Sequence, residues 1–295
     1  MPAALPPLAP DRPVLIAGPT ASGKSALAAA IARAQGGMIV NADALQVYGC
    51  WRVLTARPAP TEEAALAHRL YGHVGAQAPY SVGHWLRDLA ALLAAEPGQR
   101  PIVVGGTGLY LTALTEGLAE IPPVPAAVRA EAGTRGVQAM CGDLARGDPE
   151  TFARIDRLNP ARVQRAWEVL RATGQGLAAW QRAMPAPLMP LSAVQPLLVE
   201  VPPARLSARI AGRFRTMLEE GALDEVRAFR AAGHAMSLPA AQAIGARALA
   251  AHLDGELSLA EAEAGAVTAT RQYAKRQRSW FRNRMRDWPR FAPED

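Results

Sequence analysis

"GPTASGKS", residues 18–25, follows the apolar run "RPVLIA" (12–17) and precedes the alanine-rich "ALAAAIARA" (26–34). Gly18, four residues, then Gly23-Lys24-Ser25 is the full spacing of a phosphate-binding loop, set between a predicted strand and a predicted helix as such a loop requires. Glycines let backbone N–H groups curl around phosphate oxygens. The helix N-terminus adds partial positive charge, Lys24 adds a full one, and Ser25 offers a hydroxyl to Mg²⁺. The octet by itself does not say which phosphate it holds.

Working outward, "MIVNAD" (38–43) and "PIVVGGTG" (101–108) are two further apolar runs that end in polar loops, and the segments 61–72 and 81–96 between them have helical spacing. Runs that are apolar throughout and alternate with helices predict a parallel sheet covered on both faces. Ligands of such sheets gather beyond the carboxyl ends of the strands, which would bring Gly18–Ser25, Asn41–Gln46 and Gly105–Tyr110 to one site. After Leu118 the proline clusters "EIPPVP" and "MPAPLMPL" bracket a helical segment, and "PLLVEV" (196–201) then resumes as a strand. The expected architecture is therefore α/β: a P-loop NTPase-like parallel sheet flanked by helices (1–118), an inserted all-helical subdomain (119–191), and a continuation of the core with a helical C-terminus (192–295).

Half of the 295 residues are apolar, which predicts a sizeable core. The proline-rich start "MPAALPPLAPDRP" resembles no signal peptide, and no run is long enough to span a membrane, so a soluble, cytoplasmic monomer without membrane association is the expectation. Two cysteines and five histidines without C-x-x-C or H-x-x-x-H spacing suggest neither disulfides nor zinc. The net charge of +6 is concentrated in residues 271–290, where eight Lys or Arg face a single acid. Such local basicity points to a polyanionic partner or to a solvated helix. Lys24 and Lys275 are the only lysines beside thirty arginines, which hints that each serves where a compact point charge is wanted.

Asp43, at the end of the second strand, could serve a metal ion or act as a base, and the phosphate loop alone leaves a small-molecule or nucleoside kinase open. The segments "GPTASGKS", "NADALQVY", "PYSVG", "GGTGLYLTAL", "RVQRAWEVL", "RIAGRF" and "TRQYAKRQRSWFR", taken in order, decide the matter differently. From about Val14 to Trp288 the chain resembles the bacterial-type tRNA dimethylallyltransferases, also called tRNA isopentenyltransferases. The basic-aromatic final segment has no obvious use in a kinase, and a purely RNA-binding module would leave the octet, Asp43 and Thr107 unexplained.

The resemblance implies transfer of a dimethylallyl group from dimethylallyl diphosphate to N6 of the adenosine 3′ of the anticodon (position 37), in the anticodon stem-loop of tRNA, with Mg²⁺ and release of diphosphate. It implies that Gly18, Pro19, Thr20, Ala21, Ser22, Gly23, Lys24 and Ser25 bind the diphosphate, with Ser25 also on the metal, that Asp43 is the base, and that Thr107 lies near the bridging oxygen. For the glycines around Thr107 the expected use is close approach of that diphosphate. It places tRNA contacts at Ala44, Leu45, Gln46, Arg129, Arg162, Arg165, Arg271, Gln272, Lys275, Arg276 and Gln277, with the Gln46 amide bonding bidentately to adenine. Arg271, Lys275, Arg278, Arg282 and Arg286 recur at helical spacing on one face, with Tyr273, Trp280, Phe281 and Met285 turned to the core. Either Arg209 or Arg213 could reach the diphosphate. Two departures stand out: Ala44 where the family commonly has Ser, and "GCWRVLTARP" (49–58) where it commonly has an "IGTAKP"-like ending, although Thr55 and Arg57 keep the last polar positions.

Overall fold

The computed structural model describes residues 7–293, so the first six residues of the proline-rich start lie outside it. Its sheet is built from β1 (Val14–Ala17), β2 (Met38–Asn41), β3 (His68–Arg69), β4 (Pro101–Gly105), β5 (Gln195–Val199) and β6 (Arg290–Phe291). Every pairing is parallel, in the order β3-β2-β4-β1-β5-β6. The helices are α1 (Lys24–Gln35), α2 (Pro60–Ala65), α3 (Val82–Ala95), α4 (Gly108–Glu116), α5 (Ala126–Thr134), α6 (Val137–Gly147), α7 (Pro149–Arg154), α8 (Pro160–Thr173), α9 (Leu177–Arg182), α10 (Pro203–Glu219), α11 (Ala222–Ala231), α12 (Ala246–Leu253) and α13 (Leu259–Arg284).

The continuous apolar runs of the strands follow from burial on both faces. Val14, Ile16, Ile39, Ile102, Val104, Leu197 and Val199 pack with Leu27, Ala28, Ile31 and Ala32 of α1. The alternate residues Leu15, Met38, Val40, Val103 and Leu198 pack with Trp85 and Leu89 of α3, Leu111 and Leu114 of α4, and Phe281 of α13. A third cluster joins α10 to α13 with the segment after β2, where Trp51 stacks on Phe229 at 4.7 Å between ring centroids and donates its N–H to the Ala240 carbonyl.

Compact units divide at Glu116 and Pro187 rather than at 119 and 191. One contains the sheet with α1–α4 and α10–α13. The other, residues 116–187, has its own core of Met140, Leu144, Val163, Ala166 and Trp167. Two expectations are corrected. Residues 61–72 are not one helix: α2 ends at Ala65, Leu66 is extended, and His68–Arg69 pair with Ile39 and Val40. Ahead of α12, which begins at Ala246, the chain makes a 3₁₀ turn at Pro239–Gln242. The last helix stops at Arg284, which leaves Arg286 beyond its end, and the chain returns as β6 beside β5. No helix among the described residues is long and apolar enough to cross a membrane.

β4 lies between β1 and β2, in register at Ala17↔Gly105 and Asn41↔Val104, so the loops after these three strands leave the sheet side by side. Trp85 buttresses this edge: fully buried, it stacks on Tyr110 at 4.8 Å and donates its indole N–H to the Asn41 carbonyl at 2.7 Å. Trp85→Phe leaves that carbonyl without its donor and should cost about 1–3 kcal/mol of stability in urea denaturation.

Candidate active site

The octet closes on itself through two left-handed residues, Ala21 (φ 62°) and Gly23 (φ 93°). A side-chain carbon at Gly18 would press on the Ser22 hydroxyl, which is why this turn starts on glycine. Two of the loop's amides are engaged inside the protein: Ser22 N–H donates to the Pro19 carbonyl at 3.2 Å, and Thr20 N–H to the Gln277 side chain at 2.9 Å. The donors left for an anion are the first-turn N–H groups of α1, which have no partner within the helix. Thr20, Ala21, Gly23, Lys24 and Ser25 line a cavity of about 250 Å³, whereas Gly18, Pro19 and Ser22 are buried beneath the loop.

Asp43 enters the same cavity from the end of β2. Its position is set by Asn41, fully buried, whose side-chain oxygen accepts Asp43 N–H at 2.9 Å. The Asn41 amide group donates to the carbonyls of Asp43 and Leu70, each at 3.0 Å. One carboxylate oxygen of Asp43 accepts Leu45 N–H at 3.0 Å, which leaves the other able to receive a proton. Thr107 is tied to this turn because its hydroxyl oxygen accepts Ala44 N–H at 3.0 Å, so the hydroxyl proton stays available to donate.

Charge in the cavity is mixed. Burial brings the Lys24 ammonium down to about 8; the Asp43 carboxylate opposes that shift and the Arg213 guanidinium adds to it. Burial also lowers Arg213, again opposed by Asp43. Tyr71, Tyr110 and Tyr273 are held neutral, first by burial and then by the Asp43 charge. The same cavity is also lined by apolar side chains: Leu45, Leu54, Ile210, Phe214, Met217 and Ile244. Between the two arginines left open by spacing, Arg213 is the one that lines the cavity.

Several expected roles change. The Gln46 amide group spends both hydrogens on the carbonyls of Thr55 and Ala56, at 2.8 and 3.1 Å, so only its oxygen can meet a base and bidentate pairing is not available. Tyr273 lines the cavity instead of packing into the core. Gln277, expected among the tRNA contacts, is 5 % exposed and turned inward. The glycines of "GGTG" serve close contacts within the protein: side-chain carbons at Gly105, Gly106 and Gly108 would overlap Ala42, Gln277 and Trp280 respectively. Arg271, Gln272, Lys275, Arg276, Arg278, Arg282 and Arg286 are all exposed. In residues 116–187, Arg129, Arg162 and Arg165 are exposed as well, Arg162 facing Asp156 at 3.8 Å.

Two contributions had no clear sequence signal. Asn41 reads simply as the polar end of an apolar strand. Glu225 of α11 accepts the N–H groups of Arg52, Val53 and Leu54 at 2.7–2.9 Å and so shapes the apolar wall from 171–173 residues away.

Residues 46–284 match the family described as IPP transferase, and residues 12–73 the family described as isopentenyl transferase. A tRNA dimethylallyltransferase of Cereibacter sphaeroides is 62 % identical over 96 % of this chain and 90 % of its own. One from Dinoroseobacter shibae is 60 % identical over 97 % and 96 %. The chain belongs to the tRNA dimethylallyltransferase family. Among solved structures of the family, the tRNA isopentenylpyrophosphate transferase of Bacillus halodurans superposes with a TM-score of 0.66 at 30 % identity, covering 96 % of this chain and 90 % of that one. A eukaryotic dimethylallyltransferase acting on tRNA shares the fold, with a TM-score of 0.81 at 24 % identity over 95 % of this chain and 73 % of that one.

The Lys24 shift predicts a pH dependence. In the free cavity Lys24 is mostly charged below about 8, and a bound diphosphate favours the charged form. Diphosphate affinity should therefore weaken relative to Lys24→Met as pH rises through about 8, measured by calorimetric titration with inorganic diphosphate. Parallel pH profiles of the two proteins would rule this out.

Proposed function

We propose that the protein transfers the dimethylallyl group of dimethylallyl diphosphate to N6 of the adenosine at position 37 of tRNA, in the anticodon stem-loop, releasing diphosphate. One observation carries the reading: a single cavity is lined by the phosphate loop, Lys24 and Arg213, by a carboxylate, and by a set of apolar side chains. Dimethylallyl diphosphate has this division, an anionic group joined to a five-carbon hydrocarbon. A kinase would need room for a polar acceptor, and here Leu54, Ile210, Phe214, Met217 and Ile244 give the cavity an apolar lining that suits a hydrocarbon.

In the reaction, N6 of the adenine attacks the carbon that bears the diphosphate while the bond to the bridging oxygen breaks. The electron pair of that bond leaves with the diphosphate. The first-turn amides of α1, Lys24 and Arg213 stabilise the departing charge, and the Thr107 hydroxyl donates toward the bridging oxygen. N6 is a weak nucleophile because its lone pair is delocalised into the ring. Its proton passes to the carboxylate oxygen of Asp43 that does not hold Leu45 N–H. The Gln46 oxygen, its amide hydrogens already engaged, can accept a hydrogen bond from the entering base.

The oxygen donors here suit Mg²⁺, a hard ion that keeps several waters and takes one or two protein oxygens together with substrate phosphates. Ser25 and Asp43 line the cavity with such oxygens. Ser25 would hold the ion, which when bound would neutralise charge on the diphosphate. The exposed cations of α13 serve the polyanionic acceptor, with Arg129, Arg162 and Arg165 as further phosphate contacts, and the protein acts as a monomer.

Incubating the protein with unmodified tRNA, Mg²⁺ and either labelled dimethylallyl diphosphate or labelled ATP tests the reading. Label should enter tRNA only from the prenyl donor; phosphate transfer from ATP without prenylation would favour a kinase. Asp43→Ala should keep tRNA affinity and lose about 10²–10⁴-fold in turnover, and an unchanged rate would remove Asp43 as the base. Replacing Arg278 and Arg282 by Ala should weaken tRNA binding and flatten its salt dependence by about two charges; an unchanged slope in filter binding would exclude this face.

A further inference from the structure

Gln277 lies between two exposed arginines, Arg276 and Arg278, yet its side chain points the other way. Its oxygen accepts Thr20 N–H from the phosphate loop at 2.9 Å, and its amide group donates to the Gly106 carbonyl at 2.8 Å. These two bonds clamp the octet to the turn that carries Thr107, the next residue after Gly106. The approach is close enough that a side-chain carbon on Gly106 would overlap the Gln277 amide. Tyr273, one helical turn earlier, interacts with both Thr107 and Gln277, and Trp280, one turn later, packs on Gly108. One face of α13 thus seats both loops that would handle the leaving group, while Arg271, Lys275, Arg278 and Arg282 remain exposed.

We propose that Gln277 is a positioning residue for the leaving-group site: it fixes the phosphate loop against the Thr107 turn and joins both to the helix that receives RNA. The inference rests on the transfer reaction for its effect on turnover, and on the phosphate loop alone for its effect on diphosphate binding. Thr20 N–H is spent on this clamp, so the clamp shapes the loop without touching the anion. Without it, the part-buried Thr20 amide and the buried Gly106 carbonyl lose their partners, and the loop relaxes away from the geometry that holds the departing charge.

The test uses the full-length protein with Gln277→Met, which keeps length and apolar bulk but loses both bonds. A second variant, Gly106→Ala, pushes the amide aside while leaving residue 277 and the RNA-facing cations intact. The moving atom is the free end of a flexible side chain, so this variant should fold. Both should lower kcat about ten- to hundredfold at saturating tRNA and weaken inorganic diphosphate binding about tenfold, with tRNA affinity within about twofold of wild type. A contact to tRNA predicts the opposite split for Gln277→Met: higher KM for tRNA with diphosphate binding unchanged. A packing role predicts a lower melting temperature with normal kcat and diphosphate affinity well below it. Either result overturns the proposal. If the wild type itself transferred no prenyl group, the functional reading would fall, and the diphosphate titrations would still decide the role of Gln277.

Discussion

The main chain of Ala42 runs so close to Gly105 that no side chain fits between them, and the site is organised around this contact. β2 and β4 would normally part company where their ladder ends. Here pairing continues past the strands: Ala42 N–H donates to the Val104 carbonyl at 2.8 Å, Thr107 N–H approaches the Ala42 carbonyl at 3.4 Å, and the Thr107 hydroxyl receives Ala44 N–H. A carboxylate and a hydroxyl from loops more than sixty residues apart in sequence are thereby set on one rigid seam. Sites built on such extensions hold their geometry better than sites on free loops.

The seam gains its third member through α13. Strand pairing brings the phosphate loop beside the Thr107 turn, since Ala17 is in register with Gly105, but pairing stops at Ala17 and the octet must curl on without a ladder. Gln277 replaces the missing ladder with two side-chain hydrogen bonds, one to each loop. A glutamine suits this task because it offers both an acceptor and a donor and bears no charge to compete with an anion. The charge that the site needs is supplied from elsewhere: the Lys24 ammonium and the Arg213 guanidinium line the same cavity as Asp43, and each feels its carboxylate.

The parts legible in the sequence are those in which local chemistry dictates structure. Apolar runs bounded by glycine gave β1, β2 and β4, a run between proline clusters gave β5, and the octet identified itself by spacing. β3 and β6 did not, because strands of two residues carry no periodicity and exist only through their neighbours. Around the cavity, Lys24 stood out by the spacing of the octet and Asp43 by its place beyond a strand end, whereas Thr107 was singled out only by the family resemblance. The roles of Gln277 and Tyr273 were not readable, since the helical repeat shows which residues share a face but not what the face meets. Arg209 and Arg213 lie one turn apart on α10, and only the packing around Phe214 decides which one reaches the cavity.

The same limit explains why the glycines of "GGTG" were read for a ligand when they serve the protein. A glycine beside a candidate phosphate site signals that something approaches closely, without naming it. Here Ala42, Gln277 and Trp280 make the approach, each from a different element. These contacts set where Thr107 stands. The fixed place of the turn then has one origin, the absence of any side chain at 105, 106 and 108, which lets three separate elements close on it.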